Sequence, residues 1–264
     1  MNTILHSSGD VRPAVGSARE DQDRLRSHVW PELRKVARPH AVLGFDFDNF
    51  IADFEGSRRC ADRLAELPAY EAASAVFVTP DDSTDHIRRR TLEDGKVLVV
   101  STFGITDGFR LIDPTDLPEG GPEQASNLTW IHDVAPLVSL SSLSGIGISL
   151  LVTGAGAVVD GGIRLGKGHG YFDLEWAMLS EIGALAEEPT VVGVVHDCQR
   201  LAVDVMTADH DVPLDSVVTP SGVEHFDVSR GPGRVLWGQL AMAKAMTMPP
   251  VVELALHRAG TRWH

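Results

Sequence analysis

The tightest constraint on this chain is a set of short runs that are apolar at successive rather than alternate positions. They are Ala75 to Val78, the run that follows Lys96 as far as Val100, Leu150 to Val152 and Val191 to Val195, with Val217-Val218 as a shorter one. Successive side chains of a strand point to opposite faces, so a strand apolar at every position is buried on both. Helical patterns lie between these runs. Asp82 to Asp94 reads as a helix stopped at Gly95, and Phe172 to Leu185 as the clearest helix between strands. The alternation predicts an α/β fold with a mainly parallel sheet and helices on both faces.

Outside this region, residues 1–19 mix Ser, Gly, Pro and charge without periodicity and read as a mobile tail. A helix follows from Glu20 to Val36, with Leu25, Val29, Leu33 and Val36 at helical spacing. Pro31 inside it predicts a kink or a restart. A second helix covers Ser57 to Leu67, ending before Pro68. Residues 113–127, rich in Pro, Gly and acids, read as a loop of the kind that forms lids. Residues 20–228 are thus expected to form one α/β domain. Residues 229–235 read as a linker into a C-terminal extension, 229–264, packed on that domain. It carries Trp237 and an Ala/Met-rich helix from Leu240 to Met246, suited to covering the sheet or pairing with another chain.

The net charge is −14 in 264 residues. That argues against a general nucleic-acid or anionic-membrane binder, and leaves room for a local basic pocket. The two cysteines, Cys60 and Cys198, have no CxxC spacing, no apolar run approaches the ~20 residues of a membrane span, and no signal pattern opens the chain. A soluble cytoplasmic protein is expected, monomeric or homo-oligomeric.

The basic pocket has a candidate in Arg164-Leu165-Gly166-Lys167-Gly168-His169-Gly170-Tyr171-Phe172-Asp173. Three glycines at alternate positions open the backbone to a ligand, and Arg164 and Lys167 add two cations. An apolar run, Ile148 to Val152, lies upstream and a helical pattern begins near Tyr171. A strand, a basic glycine loop and a helix N-terminus suit a phosphate, because free N–H groups and the helix dipole both favour an anion. The loop lacks the Lys-Ser/Thr ending of a P-loop and the GxGxxG spacing of a dinucleotide fingerprint. Without a ligand it is simply a glycine-rich turn.

Other constellations are weaker. Val194 to Gln199 ends a buried strand, where ligands of open α/β sheets bind, although Asp197 also suits a helix cap. Asp211, in His210-Asp211-Val212-Pro213, and Asp173 are hard oxygen ligands. Two carboxylates plus phosphate oxygens suffice for Mg²⁺, which keeps several waters. Each alone reads equally as a turn or cap residue. The eleven histidines form no HxxxH or HExxH pair, and no GxSxG elbow is present. Cys198 near His196 makes a weak nucleophile pair.

Taken together, the segments resemble the 5-formyltetrahydrofolate cyclo-ligase family over about residues 20–225. That family's pattern has a basic N-terminal helix, a G-x-G-x-G-Y-Y-D loop, a Gln-containing turn, a His/Asn-Asp turn and a strand ending in Thr. Here these positions are Arg26 and Trp30, Gly166 to Asp173, Gln199, His210-Asp211 and Thr219. The methenyltetrahydrofolate-synthetase-domain branch, with R-x-G-K-G-x-G-Y-x-D-L-E, V-H-D-C-Q and F-x-G-S, is more similar still, matching Arg164 to Glu175, Val195 to Gln199 and Phe54 to Ser57. The resemblance implies a three-layer, NagB/RpiA-like fold. It also implies an ATP- and Mg²⁺-dependent cyclisation of 5-formyltetrahydrofolate to 5,10-methenyltetrahydrofolate. The formyl oxygen is phosphorylated, a nitrogen attacks the activated carbon, and phosphate leaves.

On that resemblance Lys167, Arg164 and Tyr171 serve catalysis. Gly166, Lys167, Gly168, His169, Gly170, Tyr171 and Arg26 bind the nucleotide, and Asp173 and Asp211 hold Mg²⁺. Tyr171 reads equally as a core aromatic. The family's lysine four residues before Arg26 is Gln22 here, and the folate-side E-x-x-T segment is not recognisable; Phe54-Glu55-Gly56-Ser57 occupies roughly that region. The readings consistent with this pattern are a folate cyclo-ligase, a related enzyme acting on another heterocycle, and a non-catalytic nucleotide- or folate-binding module.

Overall fold

A computed structural model of the chain describes residues 18–260, other than positions 209 and 232. Most of the expected tail, residues 1–17, lies outside the described residues, as do residues 261–264.

In chain order the helices are α1 (Ala18–Val36), α2 (Ser57–Ala65), α3 (Pro68–Ala72), α4 (Asp85–Glu93), α5 (Gly121–Ser126), α6 (Ile131–Val134), α7 (Tyr171–Glu181), α8 (Met242–Ala245) and α9 (Pro249–Arg258). The strands are β1 (Ala75–Val78), β2 (Val97–Ser101), β3 (Phe109–Ile112), β4 (Leu137–Val138), β5 (Ile148–Gly154), β6 (Ala157–Val159), β7 (Ile163–Leu165), β8 (Leu185–Val194), β9 (Ser216–Val218) and β10 (Val223–His225). The main sheet has the order β10-β9-β8-β5-β1-β2-β3-β4. Its inner strands β9, β8, β5, β1 and β2 are parallel, and the outer ones pair antiparallel. The hairpin β6–β7 stands apart.

The apolar runs build this sheet as their pattern requires. Phe77, Val99, Leu151 and Val191 enter one core with Phe172, Leu179 and Leu254. Their neighbours Val76, Leu98, Leu150 and Val192 enter the opposite core with Leu64, Ile87 and Leu92. Each buried aliphatic side chain contributes roughly 1.5–3 kcal/mol, so a polar residue on either face is costly. A third, smaller core joins Val29 and Leu33 of α1 to Ala157, Val159 and Leu165 of the hairpin. It fixes the hairpin that carries the glycine loop.

The structure corrects several boundaries. The helix expected to reach Leu185 stops at Glu181. Gly183, at φ 69°, closes it, with Ala184 N donating to the Leu179 carbonyl and Gly183 N to that of Ser180. This is the left-handed glycine cap that turns a chain out of a helix, and it releases Leu185 into β8. Helix α1 continues through Pro31 without restarting; Pro31 is exposed, so water can satisfy the carbonyl its missing N–H leaves. Residues 113–127 are not an open loop. Within them α5 buries Ala125, and the Ser126 carbonyl accepts from Arg88 Nε at 2.8 Å. In place of a helix from Leu240 to Met246 there is the shorter α8. The longer α9, unanticipated, begins with Pro249 in its first turn and packs against α7. No helix among the described residues is long and apolar enough to cross a membrane.

Candidate functional site

From β1 the chain works outward through β2, β3 and β4, whereas from β5 it works the other way through β8, β9 and β10. The order therefore reverses between β1 and β5, and the carboxyl ends of these neighbours frame the crevice where open α/β sheets bind ligands. Asp81 bridges the two ends. Its Oδ2 accepts from Thr79 Oγ1 at 2.6 Å and from Gly154 N at 3.2 Å.

The glycine loop runs from β7 to α7 across this crevice. Gly170, at φ 66°, makes the left-handed turn that starts α7, a conformation costly for any residue with a Cβ. Gly168 lies so close to Arg26 that a Cβ there would sit 3.2 Å from Nη2. Arg164 Nη2 lies 3.3 Å from Asp173 Oδ2, its guanidinium rests 4.8 Å from the Phe172 ring centre, and its Nε is buried without a protein partner. Lys167 Nζ lies 3.9 Å from Asp81 Oδ1. The His169 and Tyr171 rings stack at 5.4 Å. The result is a cavity of about 150 Å³. Arg26, Arg164, Gly166, Lys167, Gly168, His169, Gly170, Tyr171, Asp173 and Asp211 all line it, and so does Gln22.

Asp173 and Asp211 are the acids that would hold a magnesium ion shared with a phosphate. Asp173 Oδ1 accepts from Val212 N at 3.0 Å, which draws residues 211–212 to the start of α7. Asp211 Oδ2 accepts from Ala208 N at 2.8 Å. Each carboxylate oxygen has two lone pairs, so both groups keep acceptor capacity. Among the described residues no group of three or more His, Cys, Asp or Glu is placed to hold an ion alone. The remaining ligands would come from phosphate and water, as Mg²⁺ prefers.

Sequence reading missed several cavity residues: Thr79, Asp81, Phe103, Thr153, Gly154 and Glu175. All but Glu175 lie at or just beyond the carboxyl ends of β1, β2 and β5, so the strand-end rule would have found them. Glu175 is a charged residue on the inward stripe of α7 between Phe172 and Leu179. It is 2% exposed and accepts from Ser101 Oγ. Burial pushes its carboxyl up to about 8, so it is largely neutral at pH 7.

The carboxyl end of β8 contributes nothing to this cavity. Val195 to Gln199 does not line the cavity. It is a brace: Gln199 Nε2 donates to the Ala155 and Gly156 carbonyls at 2.8 and 3.1 Å, and its Oε1 accepts from His196 N. His196 packs against Phe54, and burial pushes the Cys198 thiol up to about 11, which removes any ready thiolate.

A second cavity, of about 660 Å³, shares Asp81 and Phe103 with the first. Asp53, Asp82, Asp85, His40, His86 and Phe50 are among its walls. Asp53 Oδ2 pairs with Arg38 at 3.0 Å while Oδ1 is buried without a partner. Burial raises the Asp82 carboxyl above its ordinary value, against the opposing pull of His40.

The chain has known relatives. The model of the 5-formyltetrahydrofolate cyclo-ligase family matches residues 18–220. The chain belongs to that family. Its relatives include the methenyltetrahydrofolate synthase domain-containing proteins of Mus musculus, 32% identical over 87% of this chain, and of Bos taurus, 29% identical over 90%. The match covers 61% and 62% of those two proteins, so this cyclo-ligase family member spans about three fifths of their length. Among solved structures, Aquifex aeolicus 5,10-methenyltetrahydrofolate synthetase is similar, with a TM-score of 0.48 and 19% identity over 80% of this chain and 95% of that one.

Proposed function

We propose that this family member is an ATP- and Mg²⁺-dependent cyclo-ligase-like enzyme. It phosphorylates a formyl or amide oxygen and closes a ring on nitrogen, with 5-formyltetrahydrofolate or a related heterocycle as its small-molecule substrate. The supporting observation is the convergence of two arginines, one lysine, a glycine-opened helix N-terminus and the carboxylates of Asp173 and Asp211 on one cavity beside a larger one. ATP supplies the phosphoryl group that turns a poor leaving oxygen into phosphate. Phosphoryl transfer asks a protein mainly for positioning and charge neutralisation. Lys167, Arg164 and Arg26 meet phosphate charge, the backbone N–H groups of the loop orient it, and Asp173 and Asp211 hold the metal. Tyr171 closes one side. The second cavity takes the acceptor. We place this activity in the cytoplasm, with the protein acting as a monomer or homo-oligomer.

The experiment is the absorbance of 5,10-methenyltetrahydrofolate formed from 5-formyltetrahydrofolate with and without Mg-ATP. A signal needing both ATP and protein supports the folate reaction. ATP binding without product moves the search to other heterocycles. A second reading, a module that binds without turnover, draws on one observation: Gln22, which lines the cavity where the family carries a lysine, removes a unit charge. ATP hydrolysis stimulated by a second ligand would sink it.

A further inference from the structure

The family match ends at residue 220, yet the chain beyond it returns to the site. We infer that residues 233–240 form the nucleoside wall of the nucleotide site, an inference that rests on the glycine loop binding the phosphates.

Three observations carry it. First, the glycine-loop cavity, at about 150 Å³, is smaller than the roughly 300 Å³ or more that a drug-sized ligand occupies. It is large enough for phosphates, and the rest of a nucleotide must leave it. Second, it adjoins open space on two different walls. Through Asp81 and Phe103 it meets the second cavity. Through His169, Asp173 and His210 it meets a groove of about 180 Å³ between α7 and the C-terminal segment, lined further by Leu174, Arg234, Leu236 and Gln239. A third space of about 420 Å³ continues this groove past Trp176. In-line transfer places the attacking and leaving oxygens on opposite sides of the phosphoryl group, so two ligands need separate openings. The arginines of the second cavity, Arg38 and Arg88, are already ion-paired with its Asp53 and Asp85, and Asp82 adds a further carboxylate, which disfavours an anionic nucleotide there. The groove has apolar flanks with a few polar ends, the lining that suits a flat base and a ribose.

Third, the segment is anchored. Arg230 donates to the Pro213 carbonyl at 2.6 Å, ion-pairs with Asp215 and covers the Trp176 ring. Glu181 holds Val235 N at 2.7 Å and Arg258 at 3.0 Å. Gly233 lies against Trp176 so closely that a Cβ would overlap the indole.

The test compares the Kd of Mg-ATP with that of Mg-tripolyphosphate, which has the phosphates and no nucleoside, by calorimetry on the full chain. Gly233→Val pushes the segment off α7, and Leu236→Ser removes an apolar wall at an exposed position where the fold is little affected. Each is expected to weaken Mg-ATP by about tenfold and leave Mg-tripolyphosphate unchanged. Lys167→Ala is expected to weaken both ligands. Equal weakening of both ligands by Leu236→Ser, or of neither, overturns the inference and leaves the loop reading intact. If the native protein binds neither ligand, or Lys167→Ala changes neither, the loop reading fails and this inference with it.

Discussion

Lys167 Nζ lies 3.9 Å from Asp81 Oδ1 and 4.7 Å from the centre of the Phe103 ring. One side chain thus ties the glycine loop to the ends of β1 and β2, and its charge sits at the junction of the two cavities.

Removing that charge should be felt mainly by a phosphate ligand. Lys167→Ala is expected to weaken ATP binding by about 1–3 kcal/mol, the scale of a charge-assisted hydrogen bond. Calorimetric Kd values for the native protein and the variant check this. Unchanged affinity would take the loop out of the site.

Asp211 tests the metal assignment. Asp211→Asn keeps an oxygen able to accept from Ala208 N but lowers the negative charge that a hard cation needs. Magnesium-dependent turnover should be lost while the thermal unfolding midpoint changes little. Full activity at low magnesium would count against a ligand role.

Glu175 makes stability depend on pH. Its carboxyl rises from an ordinary 4.5 to about 8, chiefly through burial, so between those values the folded chain holds a proton that the unfolded chain has released. Its contribution is full below the lower value, falls as pH rises through the window, and is flat above it. Glu175→Gln cannot ionise and still accepts from Ser101 Oγ. Denaturant unfolding should show the variant gaining on the native protein from about pH 4.5 to about pH 8. A gap that stays constant with pH would mean that Glu175 ionises normally.

Arg88 supports the end of β1 from behind. It is 1% exposed and donates to the carbonyls of Ser126, Thr79 and Asp81 and to Thr84 Oγ1. Arg88→Met leaves the Ser126 carbonyl without its donor, while the Thr79 and Asp81 carbonyls keep Thr84 Oγ1, and should cost about 1–3 kcal/mol, the scale for an unsatisfied buried polar group. Urea unfolding measures this. A loss below about 1 kcal/mol would mean that water replaces the guanidinium.

Much of the site was legible because its determinants are local. Gly166 to Asp173 stands out through its own glycines and cations, and Asp211 through its side chain, and both line the cavity. Glu175 is legible too, as an acid on the apolar stripe of α7. The Val195 to Gln199 turn has the composition of a site and serves as a brace, because its position beside Ala155 and Gly156 depends on how β5 and β8 pair.

The sequence by itself determined which segments are buried on both faces, hence a parallel sheet between helix layers, because transfer of each side chain from water is decided residue by residue. It also determined the loop's local positive charge, because Arg164 and Lys167 are near neighbours in the chain itself. Only the tertiary structure decided that the strand order reverses between β1 and β5, that Asp81 and Phe103 divide two cavities there, and that residues 233–240 come back against α7. Those relations join residues far apart in the chain. Their energies depend on partners that exist only once the crossovers, the hairpin and the C-terminal helix have packed.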